Sequence, residues 1–278
     1  MTTAVSGSVD HTAQPAQASR QRRSGPRTLS PSVKWMLRLS SVAAILLAWE
    51  IYGRSINPIL LSYPTAVANA AADMMADGTL PQALSESLVV LGMGSLIGVS
   101  VGLTVGLFAG RSQIVAALLE LPMNALYATP SVALIPVIVL WFGFGPTAKT
   151  VVVMLFVLFP VLINTMRGVQ EVDAALIEVA RSFCSRERRM WRDLIFPSAV
   201  PYIVTGLRLA IGRALIGVIV AEFFTAFAGL GNLIVTNANQ FRTDRMFVPI
   251  VVIALFGVLL TALLEWVERR IVRWHGDG

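Results

Sequence analysis

Six apolar runs, each about long enough to cross a bilayer, constrain this chain more than any other feature. They fall at about 35–53, 84–110, 123–143, 149–166, 201–226 and 246–268. A hydrocarbon core of about 30 Å takes roughly 20 helical residues, and inside it every backbone N–H and C=O has to be satisfied within the protein. The sequence therefore predicts an all-α membrane protein with six transmembrane helices and both termini on one side. The mean hydropathy of +0.71 agrees with that reading. The first run, "WMLRLSSVAAILLAWEIYG", is too long for a signal-peptide core and has no small-residue cleavage site after it, so an uncleaved anchor is expected. Residues 1–33 are rich in Gln, Ser, Thr, Pro and Arg and are expected to form a disordered tail, leaving 34–278 as the membrane domain.

The net charge of +6 could indicate nucleic acid, but the placement of the basic residues decides otherwise. With the N-terminus inside, 16 of the 22 Lys and Arg residues fall on inner segments or inner span edges. This is the bias that orients membrane proteins, so a multi-pass inner-membrane protein with cytoplasmic termini is expected, embedded in lipid and without a nucleic-acid partner. Both histidines, His11 and His275, lie in the polar tails, and Cys184 is the sole cysteine. A disulfide framework or a Cys/His metal site within one chain is thereby excluded. Residues 56–83 are expected outside, as a turn, a short surface helix and a second turn.

The second run carries Gly94, Gly98, Gly102, Gly106 and Gly110, a small residue at every fourth position. Each step turns the helix by about 40°, so the glycines form a slowly winding groove where another helix can approach closely. Pro130 and Pro136 lie in run three, preceded by Pro122, and Pro160 lies in run four. Each removes a backbone hydrogen bond and bends its helix, which membrane proteins tolerate where neighbours or a wet cavity satisfy the freed carbonyls. In run five, Arg208 is near enough to the inner end to snorkel, whereas Arg213 is about 18 Å along the helix from Pro201. A guanidinium at that depth points into the bundle or a wet cavity. Two readings of Arg213 stay open: a structural ion pair or carbonyl clamp, and a part in an anion pathway. Glu222, nine residues on, is about half a turn around the same helix and cannot be its partner.

Between runs four and five lies a polar island, "ALIEVARSFCSRERRMWRDLIFPSAVP", with five arginines and three carboxylates. Leu176, Val179, Ala180 and Phe183 share one helical face. A second basic helix is expected after a break near Cys184, with Ser185 as N-cap, ending before Pro197 and Pro201. Electrostatic attachment to lipid needs neither an elbow nor exposed apolar side chains, so a shaped knob fits a groove on a protein partner better.

Glu178-Val179-Ala180, Cys184 four residues later, then Leu194, Phe196 and Pro197 resemble the cytoplasmic signature loop of the permeases of binding-protein-dependent ABC importers. The likeness continues from about Leu84 to Val272 through "ATPSVALIPVIVLWFGFG", "FPVLINTMRGV" and "GLRLAIGRALIGVIVAEFF", and looks most like the nitrate, sulfonate and taurine branch. Val179 and Cys184 depart from the Ala and Gly of the family pattern. A positive φ at Cys184 would cost roughly 1–2 kcal/mol.

The resemblance implies a permease homodimer, two separate cytosolic ABC ATPase subunits and an extracytoplasmic solute-binding protein. It implies a cytoplasmic helical coupling loop between spans four and five, with Glu178, Arg181, Arg186 and Arg188 as charge contacts and Val179, Ala180, Phe183, Cys184, Leu194 and Pro197 as its apolar and turning residues. The chain contains no G-x-x-x-x-G-K-[ST] loop, so ATP is expected to be used by the partner and no cofactor bound here. An ion-coupled secondary transporter would show inverted halves, which are not evident, and a membrane enzyme would show a base or metal motif in a span. A small anion such as a sulfonate, taurine or nitrate is the expected cargo, although permeases of this kind also serve thiamine precursors.

Overall fold

The computed structural model describes residues 30–225 and 228–271; of the tail expected over 1–33, residues 1–29 lie outside them. Every regular element among the described residues is a helix. Helix α1 (Pro31–Ser55) begins inside what the sequence assigned to the tail. The chain divides into two compact units, up to Leu46 and from Leu47 onward. In the second, α2 (Pro64–Ala76) is the short outer helix expected between turns, with Pro64 in its first turn, where a missing N–H costs nothing.

Helices α3 (Thr79–Arg111), α6 (Pro146–Gln170) and α9 (Phe196–Thr225) form the centre. Of the most apolar 18 residues of α6, 56% are buried, against 22% in α3, which makes α6 the helix the others pack around. The five glycines of α3 lie along it. A methyl group added at Gly94, Gly98, Gly102, Gly106 or Gly110 would sit 2.5–3.0 Å from Val153, Val157, Val161, Thr165 or Val169, and 2.8–3.0 Å from an α6 carbonyl oxygen. Both helices therefore advance four residues per contact, backbone nearly against side chain. The opposite face of α6 meets α9 in the same way, through Gly168 against Tyr202 and Gly206 against Asn164.

Among the described residues five helices are long and apolar enough to cross a membrane, and a sixth span is counted only if a bent pair is taken as one. That pair corrects the continuous run expected over 123–143. Helix α4 (Gln113–Ala128) stops, a 3₁₀ turn (Ser131–Leu134) follows, and α5 (Ile135–Phe142) leaves at 92° to α4. Pro130 is the cause, because its ring pushes the preceding residue out of the helical region. Thr129 accordingly takes φ −73°, ψ 128°. Pro122, inside α4, does not break it.

The island is also built differently from expectation. After α7 (Ala174–Ser182), a short α8 (Glu187–Met190) does not end before Pro197. It runs through a π turn (Trp191–Ile195) directly into α9, giving one helical rod over Glu187–Thr225. The π turn shifts the hydrogen-bond register just ahead of Pro197, whose missing N–H an α-helical ladder would have required. Arg186, not Ser185, occupies the N-cap position of α8, without a side-chain cap. At the other end of the rod, α10 (Leu230–Asn239) is a short helix the sequence reading lacked, and α11 (Thr243–Ile271) is the last span.

Candidate functional site

The elbow begins where the Asp173 carboxylate accepts the Ala175 N–H at 2.8 Å and caps α7. Helix α7 ends by two crossing bonds, Cys184 N–H to the Arg181 carbonyl at 2.8 Å and Ser185 N–H to the Ala180 carbonyl at 3.0 Å. This is a Schellman motif whose left-handed position is usually glycine. Cys184 takes that position, with φ +50°, so the turn is preserved and the side chain bears the strain.

The two faces of α7 then part. Ile177 and Ala180 pack inward on Val169, Val172, Met190, Ile195, Ala199 and Ile203, together with Leu194. Leu176, Val179 and Phe183 form an outward stripe, and Phe183 is 81% exposed. The sequence reading put Ala180 on the outward face; its place is against the protein's own core. Glu178, Arg181, Arg186 and Arg188 are exposed around the stripe, and among the described residues none of them is in an ion pair. Glu187 bonds Arg111 at 2.7 Å, tying α8 to the end of α3. Pro197, exposed, follows the π turn.

Arg213 is exposed on α9 and far from the elbow. Its Nη2 donates to the Tyr127 hydroxyl at 3.3 Å, and its guanidinium carbon lies 5.4 Å from the centre of that ring. Tyr127 meets Phe159 edge-on at 6.5 Å. Arg208 is paired with Glu268, in the last turn of α11.

Sequence reasoning missed a buried polar clasp at the far end of the rod. Glu222 is fully buried. Its carboxylate accepts from the Ser87 hydroxyl at 2.6 Å and from the Gly231 N–H at 2.7 Å, while Ser87 accepts the Leu230 N–H at 2.9 Å. Lys149 is 5% exposed and donates to the Ala228 carbonyl at 2.8 Å. Three spans thus hold the start of α10. Gly229, at φ +104°, is required twice over, since a Cβ there would lie 2.1 Å from the Glu222 carboxylate. An ionisable residue inside run five was the available signal, since such groups are kept only when satisfied. Among the described residues no group of three or more His, Cys, Asp or Glu side chains could hold a metal.

Residues 102–273 match the family described as the binding-protein-dependent transport system inner membrane component. The chain belongs to that family. It is a permease subunit of the ABC-importer class, of the sulfonate and taurine branch, and a multi-pass inner-membrane protein; this membership favours the importer over an ion-coupled transporter. A Bacillus subtilis (strain 168) protein named as an aliphatic sulfonates transport permease, SsuC, is 32% identical over 246 residues, covering 87% of this chain and 89% of its own. The taurine transport system permease protein TauC of Escherichia coli (strain K12) is 32% identical over 250 residues, covering 87% of this permease and 90% of its own length. Among solved structures, an amino acid ABC transporter with histidines superposes with a TM-score of 0.52 at 22% identity, over 68% of this chain and 92% of that one, a likeness of fold.

Proposed function

We propose that this permease forms the translocation pathway of an ABC importer for a small organic anion, an aliphatic sulfonate or taurine, with nitrate as the inorganic member of the same class. It acts as a homodimer on two cytosolic ATPase subunits, and receives its cargo from an extracytoplasmic binding protein. The observation that carries the reading is the elbow: an outward stripe of Leu176, Val179 and Phe183, ringed by charges with no ion-pair partner among the described residues. An apolar stripe on a short helix with charged flanks is what a groove on another protein recognises. The basic bias supports a cytoplasmic position for the elbow and for both termini. The named relatives support the choice of cargo.

The rod supplies the mechanics. Its 39 residues, Glu187–Thr225, span about 58 Å as one helix, from the elbow to the clasp that holds α10. Closure of the ATPases on ATP draws the paired elbows together. A continuous helix packed on α6 through glycine contacts turns as a lever, and it carries that motion to the outer end. The energy comes from the partner, since this chain has no phosphate-binding loop.

The test substitutes Leu176→Ser and Phe183→Ser together. Both side chains face outward, so the protein is expected to insert and melt as wild type while losing co-purification with its cognate ATPase and ATP-driven uptake. Retained ATPase binding and uptake would overturn the docking assignment. Ala180→Asp is a poorer test, because Ala180 faces the core.

A further inference from the structure

Two features that hydrocarbon cannot solvate meet at one place in this permease. The first is Arg213, midway along α9 between Pro201 and Thr225, about 18 Å from each. Arg54, Arg111 and Arg208 each reach a carboxylate, on Glu50, Glu187 and Glu268. Arg213 reaches a neutral phenol at 3.3 Å, and among the described residues no carboxylate pairs with it. Its charge stays uncompensated at a depth where that is tolerated only in water or against a partner.

The second feature is the 92° break after α4. Pro130, Val132 and Ala133 are exposed there, so the described residues do not cover the irregular backbone. Non-helical backbone at membrane depth is accommodated where it is buried in protein or lines a wet cavity. Tyr127, the residue that Arg213 touches, lies two positions before the break at Thr129. Lipid is therefore not the neighbour of this face.

We infer that Arg213 and Tyr127 form an anion-binding station on the wet face of the permease, where the oxygens of a transported sulfonate displace the Arg213–Tyr127 contact. This rests on the anion-importer reading above. A sulfonate presents three equivalent oxygens. The guanidinium fork donates to two and the Tyr127 hydroxyl to the third, so both donors now held against each other turn to the ligand. The contact they give up is weak, a 3.3 Å hydrogen bond and a ring face at 5.4 Å, and neither brings the negative charge that an anion brings. Phe159, edge-on to Tyr127, holds the ring in place. Gly212 beside Arg213 leaves open space, since a Cβ there would meet nothing within 4 Å. Leu209 and Ile216, exposed on the same face, offer apolar surface for an alkyl tail.

The experiment uses the complete transporter in proteoliposomes, with ATPase and binding protein, and ethanesulfonate as cargo. Arg213→Gln is expected to cut uptake at least about tenfold with ATPase co-purification unchanged, as removal of a charge-assisted bond requires. Arg213→Lys is expected to retain part of the uptake, and Tyr127→Phe to raise KM by roughly two- to tenfold with little change in kcat. A second readout is independent of transport. In a Cys184→Ser background, Ile216→Cys is expected to react with a membrane-impermeant anionic thiosulfonate, and ethanesulfonate delivered by the binding protein to slow that reaction. Adding Arg213→Gln is expected to slow the anionic reagent relative to a cationic one of similar size. Wild-type uptake of ethanesulfonate with an equal rate and KM in Arg213→Gln would overturn the station alone, as would an unreactive Ile216→Cys. A wild-type transporter that imports only neutral or cationic solutes would overturn the anion reading itself.

Discussion

Replacing Gly98 by valine probes the close packing of α3 on α6, with Gly92→Val as its control on the same helix. A Cβ at Gly98 would lie 2.8 Å from the Met154 carbonyl oxygen and 2.9 Å from Val157 Cβ, whereas one at Gly92 meets nothing within 4 Å. Ordinary carbon contacts sit at about 3.5–4.0 Å, so α3 and α6 have to part by about 0.7 Å at that point. The separation spreads, because Gly94 and Gly102 seat their own α6 contacts one turn away on each side. Overpacking of this kind costs about 1–3 kcal/mol, and the two methyls of valine place the cost in the upper half of that range. The helix-propensity change is the same small amount at both sites, so the difference between the variants isolates the seam. At about 2–4 °C per kcal/mol, Gly98→Val is expected to melt roughly 4–12 °C below Gly92→Val in detergent, followed by loss of the monodisperse peak after heating. Equal melting of the two variants would refute the seam as a close-packed contact.

Three further outcomes follow from named contacts. Glu222→Ala leaves the Gly231 N–H and the Ser87 hydroxyl without their acceptor and is expected to cost about 1–3 kcal/mol for each, read as earlier melting and faster proteolysis near Gly229; unchanged protection there would contradict the clasp. Cys184→Gly keeps the Schellman turn and removes the strain of a side chain at φ +50°, so a gain of about 1 kcal/mol in thermal stability is expected, with a loss counting against the assigned turn. Asp77, between α2 and α3, accepts from the Thr79 hydroxyl at 2.6 Å and its N–H at 2.9 Å, and these bonds, with Arg245 nearby, hold its carboxyl below the usual aspartate value of 3.8. A folded-state value lower than the unfolded one gives stability that is complete above 3.8 and is lost as the pH falls below it. Asp77→Asn is expected to flatten that part of the pH–melting curve, and an unaltered curve would refute the contribution.

The glycine seam was legible because a packing groove between helices leaves a period in the sequence, and the five positions read from it are the five that meet α6. The apolar lengths gave the spans for the same reason. Hydropathy records length and not direction, so the break at Thr129 looked like a span with prolines in it. The effect of Pro130 on the residue before it was the signal to weigh. Pro197 and Pro201 misled in the opposite sense. They looked like an end to the elbow's second helix, yet a π turn carries the helix past the first of them. The direction of Ala180 could not be read from α7 alone, because it depends on where Val169 and Ile195 lie. Glu222 was weighed only as a partner for Arg213. Its real partners, Ser87 and Gly231, are 135 and 9 residues away and are brought together only by the fold.

In the proposed mechanism this permease moves its cargo only when a separate nucleotide-hydrolysing subunit works through the elbow. Uptake of labelled ethanesulfonate into proteoliposomes, with binding protein present and with the ATPase and ATP supplied or withheld, measures this directly. Concentrative uptake is expected with both supplied and none when either is missing. Concentrative uptake by the permease alone, driven by an imposed ion gradient, would contradict it.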